Sequence, residues 1–247
     1  MARSKTNTKY IVTILILAAL SLALFVVAAC LTWSLASAHE KIDYLEEKLG
    51  DDSEVDPISP IDFTVKKPLI YLYPTEDKEV SVKLGEPGKI TTSYPKYDDG
   101  WHVFVRTDGK MIDNATGRSL YGLYWEGANY PARQSDEGFV VAGEDSAKFL
   151  EEKLAQLGLS EREANEMIIY WLPQLEKNAY NYIRFDLNDV MDEYMPLDIT
   201  PKPDTIIRVS MVFEGLNTPI SVREQQLPAA KREGFVVVEW GGSEIKK

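Results

Sequence analysis

The spacing of apolar positions divides the chain into three stretches. From Tyr10 to Ala38 no residue is charged, and Ile11 to Leu31 is almost entirely Ile, Leu, Val, Ala and Phe. That meets the roughly 20 residues a helix needs to cross hydrocarbon. Beyond it Ile42, Leu45 and Leu49 recur at helical spacing among charges, which predicts two or three further turns or a short coiled-coil stalk. The stretch from Gly50 to Thr64, with Asp51, Asp52, Pro57 and Pro60, has no periodicity and reads as a linker.

From Lys67 the pattern is that of short strands. Leu69 to Tyr73 is an apolar and aromatic run bracketed by Pro68 and Pro74, as a buried strand requires, while Val80 to Leu84 alternates with one wet face. Lys89 to Tyr94, Trp101 to Val105, Leu120 to Glu126 and Phe139 to Ala142 follow, separated by turn residues such as Asp98-Asp99-Gly100 and Asp108-Gly109. At Gly143 the period changes. Asp145 or Ser146 is placed to cap a helix carrying Phe149, Leu150, Leu154 and Leu157 on one side, and Gly158 stops it. Ser160 and Glu163 have capping-box spacing and start a second helix, which Pro173 kinks or ends. Strands resume at Tyr182 to Asp186, Ile206 to Phe213 and Phe235 to Trp240. The fold class that follows is α+β, an N-terminal transmembrane helix ahead of an antiparallel β-sandwich-like domain with an inserted helical hairpin.

Charge orients this arrangement. Arg3, Lys5 and Lys9 precede the apolar span with no acid among them, which leaves 24 of the 27 basic residues against all 39 acidic ones beyond it. The positive-inside rule then puts residues 1–9 in the cytoplasm as a basic tail and 10–35 in the plasma membrane as a single-pass signal anchor. Residues 36–63 form a juxtamembrane helix and linker, and 64–247 an extracytoplasmic domain. Two processing routes compete with retention. Ala36-Ser37-Ala38 has the small-x-small form of a cleavage site, and Val27-Ala28-Ala29-Cys30 resembles a lipobox. All three put the domain outside. So acidic a domain repels nucleic acid, and that partner is set aside.

Several strings resemble an uncharacterised family of bacterial membrane-anchored or exported proteins. They are Lys67-Pro68-Leu69-Ile70-Tyr71-Leu72-Tyr73-Pro74, Tyr94-Pro95-Lys96-Tyr97 with Gly100-Trp101, Tyr124-Trp125-Glu126-Gly127, Arg162-Glu163-Ala164-Asn165-Glu166 with Tyr170-Trp171-Leu172-Pro173, and Val238-Glu239-Trp240-Gly241-Gly242. The resemblance implies the extent of the domain and a bacterial origin. No activity is attached to that family, so it supplies no site residues.

Chemistry is constrained mainly by what the composition lacks. The single Cys30 lies in the apolar span, so the domain has neither disulfides nor thiolate chemistry. Two histidines, His39 and His102, cannot furnish a multi-His zinc site, and no serine nucleophile motif accompanies them. Carboxylates are abundant. Glu126 and Glu239 each follow or precede a tryptophan, Trp125 and Trp240, and so form the candidate pair for a glycosidase, with the tryptophans as sugar-stacking walls. The structural alternative has each Trp packing inward and each Glu facing water. Trp125, Trp240, Tyr97 and Trp101 are candidate ligand-binding residues. Asp186, Asn188, Asp189 and Asp192, with Glu193, make an oxygen cluster that is either a candidate calcium site or a solvated acidic loop, and no other cofactor is expected. Tyr71, Tyr73, Tyr94, Tyr97, Tyr121 and Tyr124 crowd the first half, where an exposed row would make a platform for a glycan or peptide.

The expected function is therefore a membrane-anchored, non-enzymatic binding or structural module that recognises a glycan or protein outside the cell. The alternatives are a carboxylate-dependent glycoside hydrolase acting on cell-wall polysaccharide, and an accessory subunit of a membrane assembly.

Overall fold

Alternation along one strand sets up the whole architecture. In the computed structural model, which describes residues 32–37, 39, 41, 63–130, 133 and 135–245, strand β1 (Phe63–Tyr73) sends Ile70 and Leu72 into one core and Leu69 and Tyr71 into another. Contacts divide the chain into two units, Met1–Ser59 and Pro60–Lys247, and the fold below belongs to the second. The apolar span 10–31 lies outside the described residues, as does the juxtamembrane stripe beyond 41. Residues 32–37 are helical with Trp33 and Leu35 exposed, and among the described residues no helix is long and apolar enough to cross a membrane.

Among the described residues thirteen strands build two sheets. Besides β1 they are β2 (Lys78–Leu84), β3 (Ile90–Tyr94), β4 (Trp101–Val105), β5 (Met111–Asp113), β6 (Ser119–Leu120), β7 (Leu123–Tyr130), β8 (Glu137–Ala142), β9 (Tyr180–Leu187), β10 (Leu197–Thr200), β11 (Thr205–Leu216), β12 (Arg223–Glu224) and β13 (Val236–Glu244). The larger sheet has eight strands in the order β12-β8-β9-β11-β13-β1-β7-β3, and the smaller has five in the order β10-β2-β4-β5-β6. Most pairings are antiparallel, in keeping with a β-sandwich-like domain, but β11 runs parallel to β13, and β12 to β8. The long connection 217–235 makes room for the crossover from β11 to β13.

The two faces of the large sheet are covered differently. One packs on the small sheet through Val80, Val82, Trp101, Val103 and Met111, and the other on helices α1 (Ser146–Gln156) and α2 (Glu161–Leu175) through Leu150, Leu154, Met167 and Trp171. The result is three layers. Trp101, Trp125, Trp171 and Trp240 are all buried, each contributing about 4–6 kcal/mol of gross burial energy at the usual area coefficient.

Local signals act largely as the sequence predicts. The Ser160 hydroxyl accepts from the Glu163 N–H while the Glu163 carboxylate accepts from the Ser160 N–H at 2.7 Å, completing the capping box. Pro173 does not end α2 where it stands: it lies inside the last turn, two residues before the helix stops at Leu175, where its missing N–H costs the helix a single bond. At α1 the predicted side-chain cap is not made. A 3-10 turn, Gly143–Asp145, leads into the helix, and the Ser146 hydroxyl donates to the Ala142 carbonyl instead. Where a solvated acidic loop was one reading, Asn188–Tyr194 is a short helix, α3, tied down by buried Met191.

Candidate functional site

Five strings far apart in sequence meet on the helix-covered face of the large sheet, at its β1-β7-β3 end. β1 contributes Lys67, Tyr71 and Tyr73; β7 contributes Tyr124 and Glu126; α2 contributes Arg162, Glu163, Glu166 and Tyr170; β13 contributes Trp240. Edge strand β3 adds Tyr94, which lies directly opposite Tyr124 in the antiparallel ladder and therefore on the same face. Tyr94 is 52% exposed and Tyr121, in the turn before β7, 50%.

The chain is bent to make this corner. Lys67 is held at φ 62°, the only non-glycine residue at positive φ among the described residues, and the β1–β13 register shifts between Lys66 and Leu69. A left-handed lysine costs on the order of 1–3 kcal/mol, and such outliers persist where their surroundings over-determine them. Here the Lys67 N–H donates to Glu126 Oε1 at 3.2 Å, and Nζ lies 5.1 Å from the Tyr124 ring centre and 5.8 Å from that of Tyr170. The lysine thus bridges sheet and helix by cation–π contacts.

Two tyrosine–carboxylate–arginine relays stand beside it. The Tyr71 hydroxyl donates to Glu166 Oε2 at 2.7 Å and accepts from Trp240 Nε1 at 3.1 Å, while Arg162 Nε donates to Glu166 Oε1 at 3.1 Å and stacks over Tyr121 at 4.8 Å. Tyr73 bonds to Glu163, which is fully buried and receives both terminal nitrogens of Arg232 at 2.7 and 3.1 Å. Arg232 in turn covers the Tyr73 ring at 5.0 Å. Burial, reinforced by the adjacent carboxylates, pushes the Tyr71, Tyr73 and Tyr124 hydroxyls well above the ordinary tyrosine value. Burial alone would raise Glu163, but the bonds from Arg232, Tyr73 and the Ser160 N–H outweigh it and hold the carboxyl below its usual range. The phenols are thus held in their neutral form, and Glu163 and Glu166 are paired with arginines.

The residues singled out from sequence are placed as follows. Glu126 lies on this face, where Tyr124 bonds to it. Glu239 lies on the other face of the sheet: it is fully buried, accepts from Trp125 Nε1 at 2.9 Å and is paired with Arg208 at 2.7 Å. The two carboxylates do not share a cleft. Nor does Glu239 face water as the structural alternative had it, because both faces of β13 are covered. Trp125, Trp240 and Trp101 are 1%, 0% and 2% exposed and present no stacking surface. Tyr97 is half-buried, edge-on to Trp101 at 4.8 Å, with its hydroxyl accepting from the Leu84 N–H.

Asp186, Asn188 and Asp192 of the acidic cluster are likewise spent on internal partners. Asp186 is bound by Arg184, the Asn188 side chain bonds the backbone of Ile206 and Arg208, Asp192 is bound by Arg208, and Asp189 is exposed in the first turn of α3. No group of three or more His, Cys, Asp or Glu among the described residues is set to hold a metal ion.

Lys67, Arg162, Glu166 and Tyr170 were not legible as site residues. Lys67 precedes a proline, which biases it toward extended backbone and away from the conformation it adopts. No family model, curated protein or solved structure matches this chain.

Proposed function

We propose that this chain is a membrane-tethered, extracytoplasmic and non-enzymatic binding module, and that the tyrosine face beneath α2 recognises a glycan. The observation that carries the reading is the row of Tyr94, Tyr124 and Tyr170 with Tyr121 beside it, two of the four about half exposed, with hydrogen-bonding side chains interleaved. Flat phenol rings stack on the apolar faces of sugars, and Arg162, Glu126 and Glu166 are placed to bond the hydroxyls around them.

The separation of Glu126 from Glu239 by the sheet favours binding over hydrolysis, since a glycosidase needs two carboxyls flanking one bond at about 5–10 Å. The uncharged span 10–38, preceded by three basic residues, supports the tether and its orientation. The test is co-sedimentation of the full-length chain, held in lipid nanodiscs, with insoluble cell-wall polysaccharide. Retention on the polysaccharide without release of reducing ends is the expected result. Release of reducing ends would make the protein a hydrolase, and no retention would remove the glycan as ligand.

A further inference from the structure

A second site lies on the other half of the large sheet, sharing with the tyrosine face the Arg232–Glu163 pair. Between β9, the start of β11, α3 and the irregular segment 225–233 is a cavity of about 440 Å³, within the roughly 300–1,000 Å³ of small-ligand sites. Its body is apolar: Leu157, Phe185, Val190, Ile207, Val209 and Ala230 line it.

The wall formed by 225–233 is fastened at four points. The Gln225 carboxamide bonds both the N–H of Phe185, at 2.9 Å, and its carbonyl, at 2.7 Å, in the manner of a strand neighbour. Gln156 Nε2 donates to the Leu227 carbonyl at 2.8 Å, and the Ala230 N–H to the Gln156 carbonyl at 3.3 Å. Arg232 anchors the far end on buried Glu163. The space is thus held open by built contacts.

Its polar groups are mostly committed. Asn188 and Gln225 bond backbone, and Arg208 gives its three nitrogens to Glu239, Asp192 and the Met195 carbonyl. Two charges remain, Arg133 and the exposed Asp189. Among the described residues Arg133 faces Asp186, at 3.7 Å, and both Asp186 oxygens already accept from Arg184 at 3.1 and 3.3 Å. One carboxylate therefore serves two guanidiniums, and Arg133 is the weaker claimant.

We infer that this cavity binds a single-chain carboxylate amphiphile, its aliphatic tail among the apolar residues and its carboxylate on Arg133. A guanidinium matches a carboxylate with two parallel bonds. A doubly charged phosphate head would meet a single cation, already half-claimed by Asp186, and would be repelled by Asp186 and Asp189 more strongly than a singly charged carboxylate is, so the carboxylate is favoured.

The experiment uses the full-length chain in nanodiscs and dodecanoate bearing a terminal diazirine, with crosslinks mapped by peptide mass spectrometry. Labelling is expected in the segments 185–190 and 206–209, competed by plain dodecanoate and not by dodecanol. Arg133→Ala is expected to lower labelling about tenfold, the worth of one charge-assisted contact. Ala230→Trp, which fills the space, is expected to abolish it, with Ile206→Phe as a second filling variant should the first fail to fold. Labelling elsewhere, equal competition by dodecanol, or labelling indifferent to both Arg133→Ala and a folded filling variant would overturn the inference.

Discussion

Glu126 and Glu239 stand on opposite faces of the eight-stranded sheet. Trp125, between Glu126 and its β7 neighbour Tyr124, turns the other way and donates its indole N–H to Glu239. Period-2 alternation then requires Glu126 and Tyr124 to share the helix side. The consequence is a division of labour: one carboxylate belongs to an accessible face, the other to the core.

The core role of Glu239 predicts a large stability effect. Breaking a buried pair strands one charge out of water and costs about 3–5 kcal/mol. Glu239→Ala and Arg208→Met are each expected to lose that much in urea unfolding, without altering polysaccharide affinity in the folded fraction. Asp192, 62% exposed at the side chain, offers the contrast, and Asp192→Asn is expected to cost no more than about 1 kcal/mol.

Acid sensitivity follows from Glu163. Its folded pKa is depressed, so its contribution to stability is fully present above the unfolded glutamate value, about 4.3, and is lost as pH falls through the lower folded value. Equilibrium unfolding from pH 6 down to pH 3 should show a steeper loss in the parent chain than in Glu163→Gln. Equal slopes would remove Glu163 as the source.

Gly242, two residues after Trp240, makes room for α2. A Cβ on Gly242 would lie 2.5 Å from the Met211 carbonyl oxygen and 2.9 Å from the Trp171 ring, both fixed by burial. Gly242→Ala is expected to destabilise by about 1–3 kcal/mol, as overpacking does, and to shift the Trp171 fluorescence. An unchanged urea midpoint would contradict this packing.

Strand and helix positions were largely legible because each has its own period. Val80, Val82 and Leu84 alternate, Leu150, Leu154 and Leu157 do not, and Ser160 with Glu163 marks a helix start by chemistry alone. The parallel pairing of β11 with β13 was not legible, because Ile207 to Phe213 and Val236 to Trp240 are buried on both faces and give no sign of their neighbours. The same double burial hid the role of Glu239, whose partner Arg208 lies 31 positions away. Of the site, the abundance of tyrosine was visible in the sequence. Which tyrosines share a face depends on the β3–β7 register and on where α2 lands.

The most direct measurement is polysaccharide affinity, by titration calorimetry on the full-length chain in nanodiscs, for Tyr121→Ala and Tyr94→Ala against Ile220→Ala. Ile220 is a 48% exposed apolar residue beside β8, at the opposite end of the sheet. Loss of one ring stacked on a sugar is worth about 0.5–1.5 kcal/mol beyond its area, so each tyrosine variant is expected to bind about tenfold more weakly while Ile220→Ala binds as the parent does. Equal affinity in all four proteins would contradict the tyrosine face as the binding site.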